Sequence, residues 1–187
     1  MYDEVAVEFL NEIVVQVINN NPNFHNECYW DTNNNDILDP LELSYLEWEF
    51  SNLNETNYLI GIELIESGNY IDSIPSSIQN INSLKNITIK NSQITDIPIE
   101  IFNLNNLNTM NLSNNEINFI PNMFDLLDSN FRLIDFSNNN LISIPSTIFE
   151  LSELQFINFN NNYIESLSAD ICNLNSVVTL SLFENNL

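Results

Sequence analysis

The C-terminal two thirds of the chain repeat one pattern of aliphatic and polar positions. The pattern is Leu-x-x-Leu-x-Leu-x-x-Asn-x-Leu, in which Ile, Met, Phe or Val often takes the place of Leu. Five copies follow one another, and they begin at Leu84, Leu107, Phe131, Leu154 and Val177. Consecutive copies are therefore 23 or 24 residues apart, and a looser copy begins earlier, at Leu59. A period of this length predicts a solenoid of stacked repeats.

Within each copy, the aliphatic residues at positions 4 and 6 alternate with polar residues, which is typical of a strand with one buried face. Stacked copies are predicted to place these strands side by side in a parallel sheet that shares one continuous core. An Ile-Pro pair follows most copies, as at Ile74, Ile97, Ile120 and Ile144. Because proline ends regular pairing, we expect the chain to return to the core through a short helical or 3-10 turn.

Position 9 of the pattern is predicted to be structural. It carries an amide in four of the copies, at Asn115, Asn139, Asn162 and Asn185. We expect these amides to bond backbone groups where the chain turns out of the strand, and to bond one another in a ladder. Ser92 stands at the same position in the first copy and would form a weaker link.

The repeat over residues 59–187 resembles the leucine-rich repeat family. The resemblance implies an α/β solenoid of about five to six repeats, the last one truncated, with short parallel strands on the concave face. It also implies that ligands bind side chains at positions 2, 3, 5, 7 and 8, which project from that face. The segment around Cys172 is similar to the closing repeat of extracellular bacterial members, which indicates a secreted or cell-surface protein. Whether Cys172 is a packed thiol or belongs to a disulfide-linked terminal cap stays open.

Residues 1–58 are predicted to form an N-terminal cap, because a solenoid leaves the core of its end repeats exposed. Residues 3–18 carry apolar side chains on one helical face, which predicts an α-helix. Trp30, Tyr45 and Trp48 are candidates to cover the first repeat. No basic segment precedes the apolar stretch, so no signal peptide is visible.

Residues 31–42, within this cap, resemble the calcium loop of EF-hand proteins. A hard cation needs several oxygen ligands and a final bidentate carboxylate, and the loop offers such side chains at Asp31, Asn33, Asn35, Asp39 and Glu42. Asp36 departs from the glycine that the EF-hand pattern has at its sixth position. An acidic, Asn-rich turn is the alternative interpretation, and calcium is the only cofactor that the sequence suggests.

Composition excludes several classes of function. The chain has 26 Asp and Glu residues against 3 Lys and Arg, a net charge of −23, so its surface should repel nucleic acids and anionic membranes. One His, two Cys and two Gly leave no Cys/His zinc cluster and no glycine-rich phosphate loop. No nucleophile or carboxylate pair stands out as catalytic, and we therefore predict that the protein is not an enzyme.

The concave positions hold the candidate ligand-binding residues. All three basic residues of this acidic, asparagine-rich chain fall there, which favours an acidic partner; the alternative is that acidic and basic side chains of this face only neutralise one another. Two phenylalanines at these positions, together with Leu133, add an apolar strip that could serve as an anchor. The predicted ligand-binding residues are Lys85, Lys90, Arg132, Asp135, Phe156, Asn158 and Phe183.

These patterns together predict a recognition module that binds a protein, or a glycan, on its concave face outside the cell. The alternative is a structural or adhesive spacer within a larger cell-surface protein, and calcium could stabilise either form. Neither nucleic acid binding nor membrane insertion is expected.

The calcium loop is testable by a thermal melt with and without calcium, followed by calorimetric titration. We expect a saturable rise in melting temperature, because a ligand that binds only the folded cap stabilises it. Asp31→Ala or Glu42→Ala should abolish the rise. If calcium leaves the melting temperature of the wild-type protein unchanged, residues 31–42 are an acidic turn.

Overall fold

The computed structural model describes residues 8–13, 46–50, 57–65, 71–128 and 130–187 of the chain. Its main element is one seven-stranded sheet in which the strands lie in sequence order. The strands are β1 (Leu46–Phe50), β2 (Asn57–Ile65), β3 (Asn86–Lys90), β4 (Thr109–Asn111), β5 (Leu133–Asp135), β6 (Phe156–Asn158) and β7 (Thr179–Ser181). Strands β2 to β7 pair in parallel, one strand for each repeat. The predicted α/β solenoid with short parallel strands is confirmed.

Strand β1 was not predicted, and it pairs antiparallel with β2. The sheet is therefore continuous between the end of the predicted cap and the first repeat. The signal for β1 is present in the sequence, since Leu46-Glu47-Trp48-Glu49-Phe50 alternates apolar and acidic residues with the period of a strand. In the pairing register, Trp48, a predicted cover for the first repeat, is the partner of Leu59.

The core runs as one apolar column behind the sheet. In the middle repeat, Ile134, Phe136 and Leu141 are fully buried, and they occupy positions 4, 6 and 11 of the pattern. Aromatic rings connect consecutive repeats along the column: Phe136 stacks on Phe159, with their centroids 5.7 Å apart. Each repeat therefore buries its apolar face against its neighbours.

Short 3-10 turns return the chain to the core in five repeats, as the Ile-Pro pairs predicted. They span Ser76–Asn80, Ile99–Asn103, Phe124–Leu126, Ser146–Glu150 and Ala169–Asn173. Pro75, Pro98 and Pro145 each precede a turn and hold extended backbone there, and in each case the proline carbonyl accepts the first bond of the turn. Proline suits this place because its fixed φ starts the turn and its missing N–H is not needed.

Residues 8–13, the described part of the predicted cap helix, are helical. Phe9, Leu10 and Ile13 are buried in the same apolar cluster as the repeats. The Ser77 hydroxyl, in the first 3-10 turn, donates a hydrogen bond of 2.6 Å to the Glu12 carboxylate. Trp30 and Tyr45, the other predicted covers, lie outside the described residues.

The position-9 asparagines join each repeat to the one before it. The Oδ1 atom of Asn139 accepts a bond of 3.0 Å from the Ile117 N–H of the preceding repeat. Its Nδ2 donates to the Leu112 carbonyl of that repeat at 3.0 Å and to the Phe136 carbonyl of its own at 3.1 Å. Asn115, Asn162 and Asn185 make the equivalent bonds.

The sequence led us to expect that these four amides bond one another directly, and this expectation is wrong. Neighbouring amides instead share a carbonyl: Leu112 accepts from both Asn115 and Asn139. The ladder therefore runs through backbone atoms, because each amide is already occupied with backbone groups. Among the described residues, the buried Ser92 hydroxyl donates only to the Lys90 carbonyl, two residues away.

Position 8 has a structural role that the sequence analysis missed. Its residues, which are Asn91, Asn114, Asn138, Asn161 and Glu184, all have φ between 54° and 58°. Asparagine tolerates this left-handed backbone better than most residues. In the three copies that carry two consecutive asparagines, at 114–115, 138–139 and 161–162, the first asparagine therefore adopts the left-handed backbone and the second bonds the backbone through its amide.

We predict that Asn139→Ala lowers the free energy of unfolding by about 2–3 kcal/mol, because the buried Ile117 N–H loses its acceptor and two carbonyls each lose a donor. Asn140→Ala is the matched control, since Asn140 is exposed and adjacent, and it should change stability by less than about 0.5 kcal/mol. Denaturant titration of both variants measures the difference. Equal effects would show that the ladder does not hold the repeats together.

Candidate functional site

The concave face of the sheet is built by residues that alternate with the buried ones. In β3, Ile87 and Ile89 are fully buried, whereas Asn86, Thr88 and Lys90 are only partly buried. Because side chains alternate across a strand, these three project from the side opposite the core. Lys90 therefore lies on the open face, as predicted.

One edge of this face is a row of position-2 residues held together by backbone bonds. The Asn108 N–H donates to the Lys85 carbonyl at 2.7 Å, and the Arg132 N–H donates to the Asn108 carbonyl at 2.8 Å. The row continues with Gln155 and Val178, whose N–H groups each bond the preceding repeat. Lys85 and Arg132, both exposed, therefore lie two strand spacings apart, about 10 Å.

Apolar side chains gather on the strands farther along the sheet. Phe156 of β6 is 43% exposed and pairs in register with the half-buried Leu133 of β5. Val178 and Phe183 flank β7 and are 71% and 74% exposed. The Phe183 N–H donates a bond of 2.7 Å to Oδ1 of Asn160, which holds the backbone of the phenylalanine against β6.

We name two parts of the concave face by these residues. The basic end consists of Lys85, which precedes β3, Lys90, the last residue of β3, and Arg132, which precedes β5. The aromatic end consists of Leu133, Phe156, Val178 and Phe183, on β5 to β7. The structure therefore places the predicted cations and the predicted phenylalanines on one face, in separate halves.

Asp135 and Asn158 lie between these residues and have structural partners. Oδ1 of Asp135 accepts the N–H of Ser137 at 3.0 Å and its hydroxyl at 2.7 Å. Asn111 holds Ser113 in the same way, and Asn158 accepts the N–H two residues on. Each side chain thus closes the turn that follows its own strand. The recurring Asx-x-Ser pattern is the sequence signal for these turns.

The formal charge of the described concave positions is balanced. Glu63, Asp135 and Glu184 are their acidic residues, since Glu63 pairs in register with Thr88 at position 5 and Glu184 stands at position 8. These three acids match the three cations of the basic end, whereas the whole chain carries a net charge of −23. The described concave positions are therefore formally neutral, although the protein as a whole is strongly acidic.

The predicted calcium ligands lie outside the described residues, and the calcium loop stays a prediction. They are Asp31, Asn33, Asn35, Asp39 and Glu42. Among the side chains that the structure does describe, no group of three or more His, Cys, Asp or Glu residues could hold a metal ion. Cys172 is a free, exposed thiol, and Cys28 lies outside the described residues.

Residues 82–134 match the family model described as leucine rich repeat. The match covers part of the array whose repeated strands, turns and ladder are described above. This part of the chain is a leucine-rich repeat array. The match does not reach residues 31–42, so the resemblance of that loop to EF-hands gains no support.

Solved leucine-rich repeat structures confirm the fold. A leucine-rich repeat protein of Leptospira interrogans is 28% identical over 68% of this chain and 32% of its own, with a TM-score of 0.61. An internalin from Listeria monocytogenes is 26% identical over 68% of this chain and 35% of its own, with a TM-score of 0.58. This chain thus spans about one third of these bacterial proteins. The predicted resemblance to the family, including bacterial members, is confirmed.

The plant peptide hormone receptor RGFR1, solved in complex with RGF2, is 25% identical over 70% of this chain and 21% of its own, with a TM-score of 0.57. No similar curated protein was found.

We predict that Asp135→Asn leaves stability within about 0.5 kcal/mol of the wild-type value, because Asn111 makes the same bonds to its own serine. Asp135→Ala should destabilise the protein by about 1–2 kcal/mol, since the Ser137 N–H and hydroxyl lose their acceptor. Denaturant titration compares the two variants. A large loss with asparagine would show that the charge of Asp135, and not its hydrogen bonds, stabilises the turn.

Proposed function

We propose that this leucine-rich repeat protein is a non-enzymatic recognition module that binds a protein ligand on its concave face. The observation that carries the proposal is the collection of all three basic residues and two exposed phenylalanines on that one face. Proteins with this repeat architecture bind peptide and protein partners, as RGFR1 does with RGF2. The proposed site consists of the basic end, the aromatic end and the half-buried residues between them.

The concave face is suited to recognition because the residues that stabilise the fold lie behind the sheet and not on that face. The core residues behind the sheet and the position-9 amides fix each strand. Side chains at concave positions 2, 3, 5 and 7 differ from repeat to repeat, while the buried positions keep one pattern. A rigid sheet with variable side chains can be specific without rearranging, which lowers the cost of ordering on binding.

Electrostatics favours a partner with a local acidic segment and not a uniformly acidic partner. The body of the protein repels anions, but salt screens this repulsion beyond about 8 Å at physiological ionic strength. Contacts of Lys90 and Arg132 with carboxylates act within that range. The acidic residues of the partner should therefore be concentrated where they meet the basic end.

An extracellular or cell-surface location fits this role. The resemblance of the sequence around Cys172 to the closing repeat of extracellular bacterial members of the family supports it, as does the likeness to a plant peptide hormone receptor. None of the helices in the described parts of the chain is long and apolar enough to cross a membrane. A glycan is the second ligand class, because amides such as Asn158 beside the exposed Phe156 also suit a sugar.

The proposal predicts that neutralising the basic end weakens ligand binding about tenfold or more. Peptides are first selected on the immobilised protein from a random dodecapeptide phage library, and each is then titrated by calorimetry against a triple variant. The variant carries Lys85→Gln, Lys90→Gln and Arg132→Gln.

A second variant controls for net charge, because it makes the chain equally more acidic at exposed sites away from the concave face. It carries Asn80→Asp, Asn103→Asp and Asn105→Asp. It should bind within about twofold of the wild type, since screening weakens charges that are far from the ligand. If the peptides bind all three proteins equally, the repeats are a spacer and not a recognition surface.

A further inference from the structure

We propose that the protein has a second interaction surface, on the flank of the solenoid, and that it binds a basic amphipathic helix of a partner protein. The flank consists of the residues at positions 10, 12 and 13 of the pattern, between each strand and the 3-10 turn that follows it. Three of them, Phe119, Ile142 and Tyr163, form an exposed apolar row across consecutive repeats. The flank is separate from the concave face, so this inference goes beyond the function proposed above.

Burial on the flank follows the repeat. In the copies that begin at Leu84, Leu107 and Phe131, positions 11 and 14 are buried and positions 10, 12 and 13 are exposed. The exposed flank residues of these copies and the next one are Gln93, Thr95 and Asp96, then Glu116, Asn118 and Phe119, then Asn140, Ile142 and Ser143, and finally Tyr163, Glu165 and Ser166. Most of these side chains are polar, so the apolar row is an exception on its own surface.

Backbone bonds hold neighbouring flank segments side by side. The Tyr163 N–H donates to the Leu141 carbonyl of the preceding repeat at 2.8 Å. The same bond joins the two repeats before, from the Asn140 N–H to the Ile117 carbonyl, also at 2.8 Å. The three residues of the apolar row therefore stand on adjacent segments.

The contiguity of the row distinguishes it from ordinary surface exposure. Phe119 and Ile142 are each 62% exposed, and Tyr163 is 54% exposed. Single exposed apolar side chains are normal on a protein surface, whereas a contiguous group marks an interaction site.

Exposed acidic residues border the row on both sides, and none of the flank residues named above is basic. Glu116 stands three residues before Phe119 on the same segment. The Glu165 N–H donates to the Ile142 carbonyl at 3.2 Å, so the backbone of this acid lies beside the middle of the row. On a chain of net charge −23, such a surface is complementary to an apolar stripe bordered by Lys and Arg.

The length of the row fits a short helix. Two repeat steps separate Phe119 from Tyr163, which correspond to about 10 Å at the spacing of the strands, and the diagonal course of the row extends this to about 14 Å. Two to three turns of an α-helix carry an apolar stripe of about 11–16 Å on one face. Basic residues on both sides of that stripe can then meet Glu116 and Glu165.

A second copy of the chain is a poorer occupant of the flank. In a twofold contact through the row, the glutamates of one copy would approach those of the other. The flank offers no cation to pair with them, and like charges across an interface disfavour association.

The test uses three synthetic peptides of about fourteen residues, titrated by fluorescence anisotropy. The first is an amphipathic helix of leucine and lysine, the second has the same composition in an order without an apolar stripe, and the third has glutamate in place of lysine. We expect the first to bind about tenfold more tightly than the other two. Equal binding of the second peptide would reveal only general charge attraction, and equal binding of the third would remove the need for a basic partner. Either result overturns the proposal.

Apolar variants then locate the first peptide on the protein. Ile142→Ser with Tyr163→Ser should weaken its binding about tenfold. Ile99→Ser with Leu126→Ser is the matched control, because these residues are 56% and 48% exposed and lie outside the flank. The control should bind within about twofold of the wild type. Equal losses in both variants would overturn the assignment to the flank. The melting temperature of each variant confirms that it is folded.

Charge variants test the acidic border independently of the apolar row. Glu116→Gln with Glu165→Gln should weaken binding of the first peptide about threefold or more and reduce its dependence on salt. Glu150→Gln with Glu153→Gln is the control, since both residues are exposed and lie outside the flank. Equal effects of the two pairs would show that only the overall charge matters, and would overturn the proposed border.

Two further outcomes separate this inference from its alternatives. The triple variant of the basic end should bind the first peptide at least as tightly as the wild type, because it removes only cations of the concave face; a loss of binding there would place the peptide on the wrong surface. Sedimentation velocity tests the second copy as occupant. A wild-type dimer that dissociates with Ile142→Ser and Tyr163→Ser would assign the flank to a contact between copies and overturn the proposal.

Discussion

The fold depends on satisfying the backbone polar groups at the place where each repeat leaves its strand. Those N–H and carbonyl groups lie inside an apolar stack, where an unpaired group costs several times what a hydrogen bond normally contributes. The buried amide of Asn139 meets this need by bonding the Ile117 N–H and the Leu112 carbonyl of the preceding repeat. The same amide therefore closes its own turn and fixes the distance to its neighbour. Strand pairing and the aromatic contacts of the core follow from that fixed stacking.

Much of this architecture could be predicted from sequence because burial is periodic. The aliphatic positions of each copy identified the strands, the core and the concave positions, and the Ile-Pro pairs predicted the 3-10 turns. The left-handed residues at position 8 were missed, since their backbone has no hydrophobic signature. The cap was the hardest part because it has no repeat, and even the alternation that marks β1 was overlooked.

The candidate site was only partly predictable, because local hydrogen bonds and strand register decide which side chains are available on the concave face. Register alone showed that Lys90 and Phe156 face the open side of the sheet. The engagement of Asp135 with Ser137 depends on a local turn, and it became visible only with the hydrogen bonds. Asp135 is therefore at once a candidate contact and a structural residue. The balance of charge on the concave face likewise required the register of β2, which places Glu63 beside Thr88.

Because the repeats stack as modules, the number of repeats between two side chains of the concave face sets the distance between them. Each repeat is tied only to its immediate neighbours, so a duplication of one repeat between β5 and β6 would preserve the ladder on both sides. Such an event would move the cations and the phenylalanines apart by one strand width, without altering a single side chain. Gene duplication could thus change the spacing of side chains on this face in discrete steps, with the chemistry at each end unchanged.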